Sequence, residues 1–261
     1  MSKRPMFAAI VLPGLLFLAS AMHCFAEEAK DRAAAPVIEP EALAALERMG
    51  AYLRTLSAFD LTSETTLDDV TDDGMKLQFG GTVMMQVQRP DRFRIEVDSD
   101  RKQRQFIYDG KTLTLYGQQV GYYATVPAPP TIKEVIAVLK DKYGIELPLA
   151  DLFTWGTDES AQSRIKEAAL IGPSKIGGVT CDHVAVRQDG VDWQVWIEQG
   201  KTALPHKMVI TTKDEAQQPQ YVSVLHWKTS LNFAEDTFVF KPPMEAHKIP
   251  LRGADVASTA K

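Results

Sequence analysis

Residues 75–87 read MKLQFGGTVMMQV, and their alternation decides the fold class of the chain. The even positions are mainly Lys, Gln and Thr, whereas the odd positions carry Met75, Leu77, Phe79, Val83, Met85 and Val87. Because successive side chains of a strand point to opposite faces of a sheet, this pattern predicts one half-buried strand through the whole stretch. Gly80 and Gly81 keep the parity, so we expect a sharp bend in a strongly curved sheet at this point.

Nine further segments after this strand have the composition and alternation of strands. They are residues 93–97, 104–108, 112–116, 120–126, 167–171, 179–187, 191–198, 207–211 and 221–228. Asp109-Gly110, Gly177-Gly178 and Asp189-Gly190 are signals for tight hairpin turns between consecutive segments, which makes the sheet antiparallel. About ten strands at this spacing indicate one large sheet, a barrel or a half-barrel.

Two helical patterns accompany the strands. From Pro40 onward apolar residues recur at spacings of three and four, which predicts an N-terminal amphipathic helix of about four turns. A second helix is expected after Thr131, where Glu134 completes a capping-box spacing and Gly144 can end the helix in the left-handed conformation. The predicted fold is therefore α+β: a large curved antiparallel sheet, or incomplete β-barrel, with an N-terminal helix and a helical lid, residues 131–155, inserted mid-chain.

The first residues have the features of an export signal. Residues 1–26 have a positively charged start, an apolar run and a plausible cleavage site at Ala26, which together predict a cleaved signal peptide and periplasmic localisation. A retained membrane anchor is the alternative, but the apolar run is shorter than the roughly 20 residues that span a bilayer. Cys24 is not expected to be lipidated, because the bulky His23 stands directly before it.

The rest of the chain is expected to hold one folded domain. The predicted divisions are a flexible N-terminal segment at residues 27–39, the domain at 40–245 and a flexible C-terminal tail at 246–261. Cleavage leaves Cys181 as the one cysteine, so an internal disulfide is excluded and stability must come from the core. We expect Cys181 to be buried, since its neighbours belong to a strand pattern.

Composition narrows the classes of function. The chain has 261 residues, of which 45% are hydrophobic and 24% charged, values typical of a globular protein and not of a disordered or collagenous one. Its net charge is -5 at pH 7, so it has no basic surplus that would neutralise nucleic-acid phosphates. Nucleic acid is therefore not an expected partner.

The sequence contains no spacing that predicts catalysis. The mature chain lacks a nucleophile elbow, a phosphate-binding loop, a His-Glu-x-x-His motif and a Cys-x-x-Cys pair. Cys181 and His183 would share a strand face, but a metal or nucleophile site needs a third group that the sequence does not identify. The acidic pairs Asp68-Asp69 and Asp72-Asp73 favour a solvated turn over a calcium loop. We expect a protein that is not an enzyme and that uses no cofactor or metal.

Three segments carry a family resemblance. Residues 89–95 (RPDRFRI), 108–113 (YDGKTL) and 238–243 (FVFKPP) resemble segments of the bacterial periplasmic lipoprotein carriers and of the related sigma-factor regulators. More specifically, the chain resembles a family of predicted periplasmic proteins described as a domain of unknown function within that superfamily. The resemblance implies a hydrophobic cavity between sheet and lid that shelters acyl chains. In the carriers an Arg tethers the lid, and we assign no residue of this sequence to that role.

The expected function is the binding of a lipid, a lipidated protein segment or another hydrophobic ligand between the half-barrel and the lid. The alternative is a periplasmic protein-interaction or sensor module without bound lipid, whose partner is a periplasmic or membrane protein. The candidate ligand-binding residues are apolar positions of the strands and of the inserted helix, and packed core is the competing interpretation for each of them. They are Phe93, Ile95, Val97, Phe106, Tyr108, Leu113, Leu115, Ile132, Val135, Ile136, Leu139, Trp193 and Val195.

Overall fold

The computed structural model describes residues 37–155 and 163–253. The expected signal peptide, with Cys24, and the first part of the expected N-terminal segment lie outside these residues. Three α-helices are present in the described part of the chain: α1 (Pro40–Thr55), α2 (Ile132–Tyr143) and the short α3 (Asp151–Thr154). A 3₁₀ turn follows at Glu235–Phe238.

Twelve strands form one sheet in the described part of the chain. The strands before the lid are β1 (Ala58–Val70), β2 (Lys76–Gln88), β3 (Arg92–Ser99), β4 (Gln103–Tyr108), β5 (Thr112–Gly117) and β6 (Tyr122–Pro127). Those after it are β7 (Glu167–Ile176), β8 (Val179–Gln188), β9 (Val191–Glu198), β10 (Pro205–Thr212), β11 (Gln220–Thr229) and β12 (His247–Lys248). Each of the ten predicted strands has a counterpart here.

The strand order is β12-β6-β5-β4-β3-β2-β1-β11-β10-β9-β8-β7. Every pair is antiparallel except β12 with β6, and the two ends of the sheet do not meet, so the sheet is an open half-barrel. This arrangement confirms the predicted α+β fold with an N-terminal helix and a helical insertion. Pairing of β1 with β11 joins the two strand series that flank the insertion.

The long strand β2 behaves as its alternation predicts. Met85 is fully buried, whereas 43% of the neighbouring Met84 is exposed on the opposite face. Gly81 lies inside the strand opposite Thr65 and Ser99, and a Cβ atom added to it would lie 2.9 Å from the Ser99 Cβ. Glycine at this position therefore lets two strands approach closely without interrupting the ladder.

The hairpin between β4 and β5 differs by one residue from its prediction. The backbone N–H of Asp109 donates to the Thr112 carbonyl, so Gly110-Lys111 and not Asp109-Gly110 forms the tip. The Asp109 carboxylate accepts hydrogen bonds from the backbone N–H groups of Lys111 and Thr112 at 2.9 and 2.6 Å. Asp109 thus serves as the side-chain acceptor of the turn, a common use of Asp before a tight turn.

The hydrophobic core lies on one face of the sheet, which we call the inner face. Helix α1 buries the apolar side that its spacing predicts, including Leu46, Met49 and Leu53, and packs against β7, β8 and β9. Helix α2 buries Ile132, Val135 and Leu139 in the same core. The helices and the inner face therefore share one continuous apolar cluster.

The C-terminal segment crosses the opposite, outer face. Phe238 of the 3₁₀ turn is buried, and the ring centroid of Phe240 lies 5.6 Å from that of Tyr116 and 5.0 Å from that of Tyr123. The segment ends in β12, and the Ile249 N–H donates to the Tyr123 carbonyl. Residues 247–249 are thus bonded to the sheet, although the predicted tail begins at residue 246.

Both edges of the sheet are short or interrupted. Strand β7 has an irregular register between Leu170 and Gly172 and contains Pro173, which has no N–H to donate. Ile38 forms an isolated parallel bridge with Ala168 of β7, and Glu39 also bonds to this strand. Residues 37–39 of the predicted flexible segment are therefore in contact with this edge, and the other edge is the two-residue β12.

Candidate ligand-binding cavity

The lid begins at a fixed point on the sheet. The Tyr108 hydroxyl donates to the Pro129 carbonyl at 2.6 Å, and the Ile132 N–H donates to the Pro90 carbonyl at 3.0 Å. Burial, and after it the nearby carboxylates led by Asp91, raises the pKa of Tyr108 to about 12. The neutral hydroxyl is therefore retained as a donor at physiological pH.

The caps of α2 are those that the sequence predicts. The Thr131 hydroxyl oxygen accepts a hydrogen bond from the Glu134 N–H at 3.3 Å and donates to the Glu134 carboxylate at 2.7 Å. Gly144 ends the helix with a φ of 62°, in the left-handed region that glycine enters without strain. The helix is thus defined at both ends by local sequence.

The lid fits the sheet unevenly along its length. The side chains of Ile132, Val135 and Leu139 are buried against the inner face, whereas Ile136 is half-buried and Lys140 is exposed. After the helix, residues 145–150 form an irregular stretch that leads to α3. A cavity of about 570 Å³ lies between this part of the lid and the inner face.

The cavity wall is mainly apolar and its volume is within the usual range for small-molecule sites. Strands of both halves of the sheet contribute Leu67, Val97, Phe106, Met208, Ile210 and Tyr221. The lid contributes Ile136, Ile145, Leu147, Pro148, Leu149, Ala150 and Leu152. Four charged residues complete the lining, namely Lys102, Arg104, Lys140 and Glu146.

Strand register explains why these residues face the cavity together. Leu67 of β1 lies directly opposite Tyr221 of β11, and Tyr221 lies opposite Ile210 of β10. Val97 of β3 lies opposite Arg104 of β4. Directly opposed residues of an antiparallel pair project from the same face, so each row presents its side chains to the same space.

Short helix α3 closes the lid against the core. Its Phe153 ring lies 6.2 Å from the Phe59 ring, centroid to centroid, and the Arg89 guanidinium lies 6.0 Å from the Phe153 centroid. Trp155 donates from its indole N–H to the Leu46 carbonyl at 3.2 Å and makes an edge contact with Trp193. The end of the lid is therefore fixed to both the sheet and α1.

Arg89 is a lid contact that the sequence analysis did not assign. It is the first residue of the RPDRFRI segment and follows the last residue of β2. Burial lowers its pKa, and its Nε atom has no hydrogen-bond partner among the described residues. The guanidinium is thus held next to the α3 aromatic ring, an arrangement that cation–π attraction favours.

The predicted ligand-binding residues fall into three groups. Val97, Phe106 and Ile136 line the cavity. Leu115 is half-buried and packs against the core. The others are buried in the core cluster between helices and sheet and do not line the cavity: Phe93, Ile95, Tyr108, Leu113, Ile132, Val135, Leu139, Trp193 and Val195.

The cavity also contains residues that the sequence analysis did not select. Met208, Ile210 and Tyr221 belong to predicted strands, but the strand pattern did not indicate that they line a cavity. Ile145, Leu147 and Leu149 lie in the irregular stretch after α2, where no periodicity applies. Only the general expectation of a lid between residues 131 and 155 pointed to them.

Other chemically interesting groups lie outside this cavity. Cys181 is buried, and burial followed by the charges of Glu198 and Asp182 raises its pKa to about 11, which disfavours the reactive thiolate. His183 bonds to Gln194 at 2.9 Å and stacks on the Trp196 ring. Within residues 37–155 and 163–253, no cluster of three or more His, Cys, Asp or Glu side chains is arranged to hold a metal ion.

A second cavity, of about 600 Å³, lies on the outer face beneath the C-terminal segment. Its lining is more polar and includes Gln86, Arg94, Gln105 and Asp236.

No helix in the described part of the chain is both long enough and apolar enough to cross a membrane.

Comparison with solved structures gives distant likenesses. An uncharacterized conserved protein from Thermus thermophilus has a TM-score of 0.46 at 12% identity, over 80% of this chain and 99% of the other. The Mycobacterium tuberculosis lipoprotein LppX has a TM-score of 0.44 at 11% identity, over 74% of this chain and 98% of the other. The LolA superfamily protein NE2245 from Nitrosomonas europaea has a TM-score of 0.37 at 8% identity, over 76% of this chain and 97% of the other. At these values the structures say nothing about the ligand of this chain.

Comparison with curated protein sequences finds no match. Residues 42–252, most of the chain, match the family described as predicted periplasmic protein (DUF2092). That description agrees with the expected periplasmic localisation and with the family resemblance of the strand and turn segments. The chain therefore belongs to this family of predicted periplasmic proteins.

Proposed function

We propose that this periplasmic protein binds a long apolar ligand, such as a lipid or a lipidated protein segment, between its half-barrel and its lid, and that it acts by binding without catalysis. The observation that carries the proposal is the cavity of about 570 Å³ with its mainly apolar lining. Side chains of the sheet and of the lid both form its wall, so an occupant would contact both.

Apolar burial supplies enough free energy for such a ligand. Each buried methylene contributes about 0.8 kcal/mol, so eight methylenes contribute roughly 6 kcal/mol before the costs of ordering the ligand. The affinity therefore depends on how much of a chain the cavity admits. Leu67 extends the apolar wall toward solvent, since half of its side chain is exposed.

The lid geometry is compatible with loading beside its middle part. Contacts of Tyr108 and Ile132 fix the start of the lid and those of Phe153 and Trp155 fix its end, whereas the cavity lies next to the last turn of α2 and the irregular residues 145–150. Displacement of these residues would widen the cavity without breaking the contacts at the start of the helix. The core beneath Val135 and Leu139 would stay packed during that displacement.

Ligand content and cavity filling test the proposal together. The purified mature protein is extracted with organic solvent for mass spectrometry, and displacement of a fluorescent fatty acid is measured. Ile210→Trp fills the sheet side of the cavity, and we expect it to weaken probe binding about tenfold or more because overpacking excludes the chain. Met84→Trp on the outer face is the matched control and should bind normally.

Two results would contradict the proposal. One is an extract without apolar compounds combined with no binding of the fluorescent probe. The other is full-affinity binding by Ile210→Trp, which would place the probe outside this cavity. Circular dichroism of both tryptophan variants checks that each is folded.

Exposed apolar residues at the far end of β1 and β2 favour a second candidate function, a protein-interaction or sensor module. Leu67, Met75 and Leu77 have 50%, 56% and 39% of their surface exposed. Such a group of side chains is a feature of protein-binding surfaces. Leu77→Lys should then abolish crosslinking to a periplasmic or membrane-protein partner and leave fatty-acid binding intact. Unchanged crosslinking would exclude this surface.

A further inference from the structure

The charged residues of the cavity lining are mostly cations. Arg104 lies directly opposite Val97 in the sheet, Lys102 precedes β4, and Lys140 lies in the last turn of α2. All three line the cavity and all three are exposed. Cations from the sheet and from the lid therefore border the part of the cavity that is open to solvent.

Two of these three cations have no carboxylate nearby. Glu146 is the one acidic residue of the lining, and its carboxylate lies 3.4 Å from the Lys140 ammonium. Within residues 37–155 and 163–253, neither Lys102 nor Arg104 has a carboxylate within 4.0 Å. The adjacent Arg101, which does not line the cavity, is paired with Asp69.

This local surplus stands out against the rest of the molecule. The chain carries a net charge of -5, so positive charge is not a general property of its surface. An apolar cavity with cations at its solvent side matches a molecule with an apolar chain and an anionic end. Arg in particular presents a planar group of donors that fits a carboxylate or a phosphate.

We infer that the ligand of the cavity is an anionic amphiphile, with its apolar chain against the inner face and its carboxylate or phosphate near Lys102, Arg104 and Lys140. The inference rests on the proposed function and adds the chemical class of the ligand. A competing interpretation is that the three long side chains only cover apolar lining with their methylene stems. That interpretation predicts no preference for charge.

Probes of equal chain length separate these interpretations. Hexadecanoate, hexadecyl phosphate, hexadecanol and hexadecyltrimethylammonium each compete with a neutral fluorescent probe on the full mature protein. We expect the two anions to bind about tenfold or more tighter than the alcohol, as charge-assisted hydrogen bonds require, and the cation to bind weakest. The order of the two anions shows whether a carboxylate or a phosphate is preferred.

A double variant locates the effect. Lys102→Gln/Arg104→Gln removes the two cations that have no carboxylate partner, and we expect it to bring the anions to the affinity of the alcohol. Lys111→Gln/Lys133→Gln removes the same charge from exposed positions outside the lining and should preserve the preference. The preference should also weaken with added salt.

The outcomes distinguish the anionic class of the ligand from the proposed binding function itself. Equal binding of hexadecanoate and hexadecanol, or an anion preference that survives in the Lys102→Gln/Arg104→Gln variant, overturns the anionic inference and leaves an apolar binding function. Absence of binding by all four probes overturns the proposed function as well. Anion preference that is lost only in the lining variant supports both.

Discussion

Tyr108 is the residue that joins the sheet core to the start of the lid. Its ring lies 5.4 Å from the Phe93 ring, and its hydroxyl bonds to the Pro129 carbonyl. Both the ring and the hydroxyl thus have a structural role. Their contributions to stability can be separated by removing the hydroxyl alone.

We expect Tyr108→Phe to lower the free energy of unfolding by about 0.5–1.5 kcal/mol at pH 7, since the partly buried Pro129 carbonyl loses its donor. In the wild type the pKa of Tyr108 is raised to about 12 from an ordinary value near 10. The folded state therefore holds this proton more tightly. The resulting stabilisation is complete below pH 10 and is lost as the pH rises toward 12. Urea unfolding at pH 7 and at pH 11 measures both effects.

The exposed Tyr122→Phe on β6 is the control for this experiment. It should leave stability at pH 7 unchanged. Its loss of stability at alkaline pH should equal that of the wild type, whereas Tyr108→Phe should lose less. Identical alkaline behaviour of the two variants would contradict the assignment to Tyr108.

At this scale, alternation identifies the face of a side chain but not its position along the strand. Phe93, Ile95 and Val97 share one face of β3, yet among them only Val97 reaches the cavity. The start of the lid covers the first part of that strand through the contacts of Pro90 and Pro129. Tertiary contacts decide which part of a strand the lid covers and which part faces the cavity. For this reason only Val97, Phe106 and Ile136 of the selected residues line the cavity.

Among the elements, α2 has the clearest local determinants. The Thr131 cap and the left-handed Gly144 define its ends, and both were read from the sequence. The helix fits the sheet unevenly because Ile132, Val135 and Leu139 reach the core, whereas Ile136 is only half-buried. Loss of a cap should therefore increase local opening of the helix.

We expect Thr131→Ala to cost about 1 kcal/mol of helix stability, because it removes the oxygen that accepts from the Glu134 N–H. Amide hydrogen exchange in residues 132–143 should become about fivefold faster, while exchange in β9 should change much less. Hydrogen-exchange mass spectrometry provides the measurement.

Thr180→Ala on the exposed side of β8 is the matched control and should leave exchange in α2 unchanged. Equal acceleration in the two variants would show that the Thr131 cap does not stabilise α2.

The C-terminal segment is an element that no helix or strand periodicity specified, although residues 238–243 carry part of the family resemblance. Phe238 has 1% of its surface exposed, although it belongs to no predicted helix or strand. We expect Phe238→Ala to lower the free energy of unfolding by about 3–5 kcal/mol, as for other buried aromatic residues. Phe240→Ala should cost less, because Phe240 is only half-buried. Urea denaturation of the two variants makes the comparison, and equal losses would contradict the difference in burial.

For the whole molecule, the half-barrel follows from period-two alternation because antiparallel strands with one buried face must alternate. The strand order does not follow from it. Strands β1 and β11 pair across the inserted lid, and the Ser63 and Ser223 hydroxyl oxygens, 160 residues apart in sequence, lie 2.5 Å from each other. Such a pairing depends on closing a long loop, which local sequence does not encode.

Occupation of the cavity should stabilise the whole domain. A ligand at one hundred times its dissociation constant adds about 2.7 kcal/mol to the free energy of unfolding, provided that it binds only the folded state. Removal of bound lipid should therefore lower the melting temperature, and added hexadecanoate should restore it. Calorimetry of the extracted and the reloaded protein tests this expectation, and the cavity-filled Ile210→Trp variant should not respond.

The two lateral borders of the sheet bear on behaviour at high concentration. A long border with free amides and carbonyls can template the addition of another copy and start a filament. Here one border carries Pro173 and an irregular register, and the other is only the pair His247–Lys248. Both borders therefore disfavour edge-to-edge addition of another copy of the chain.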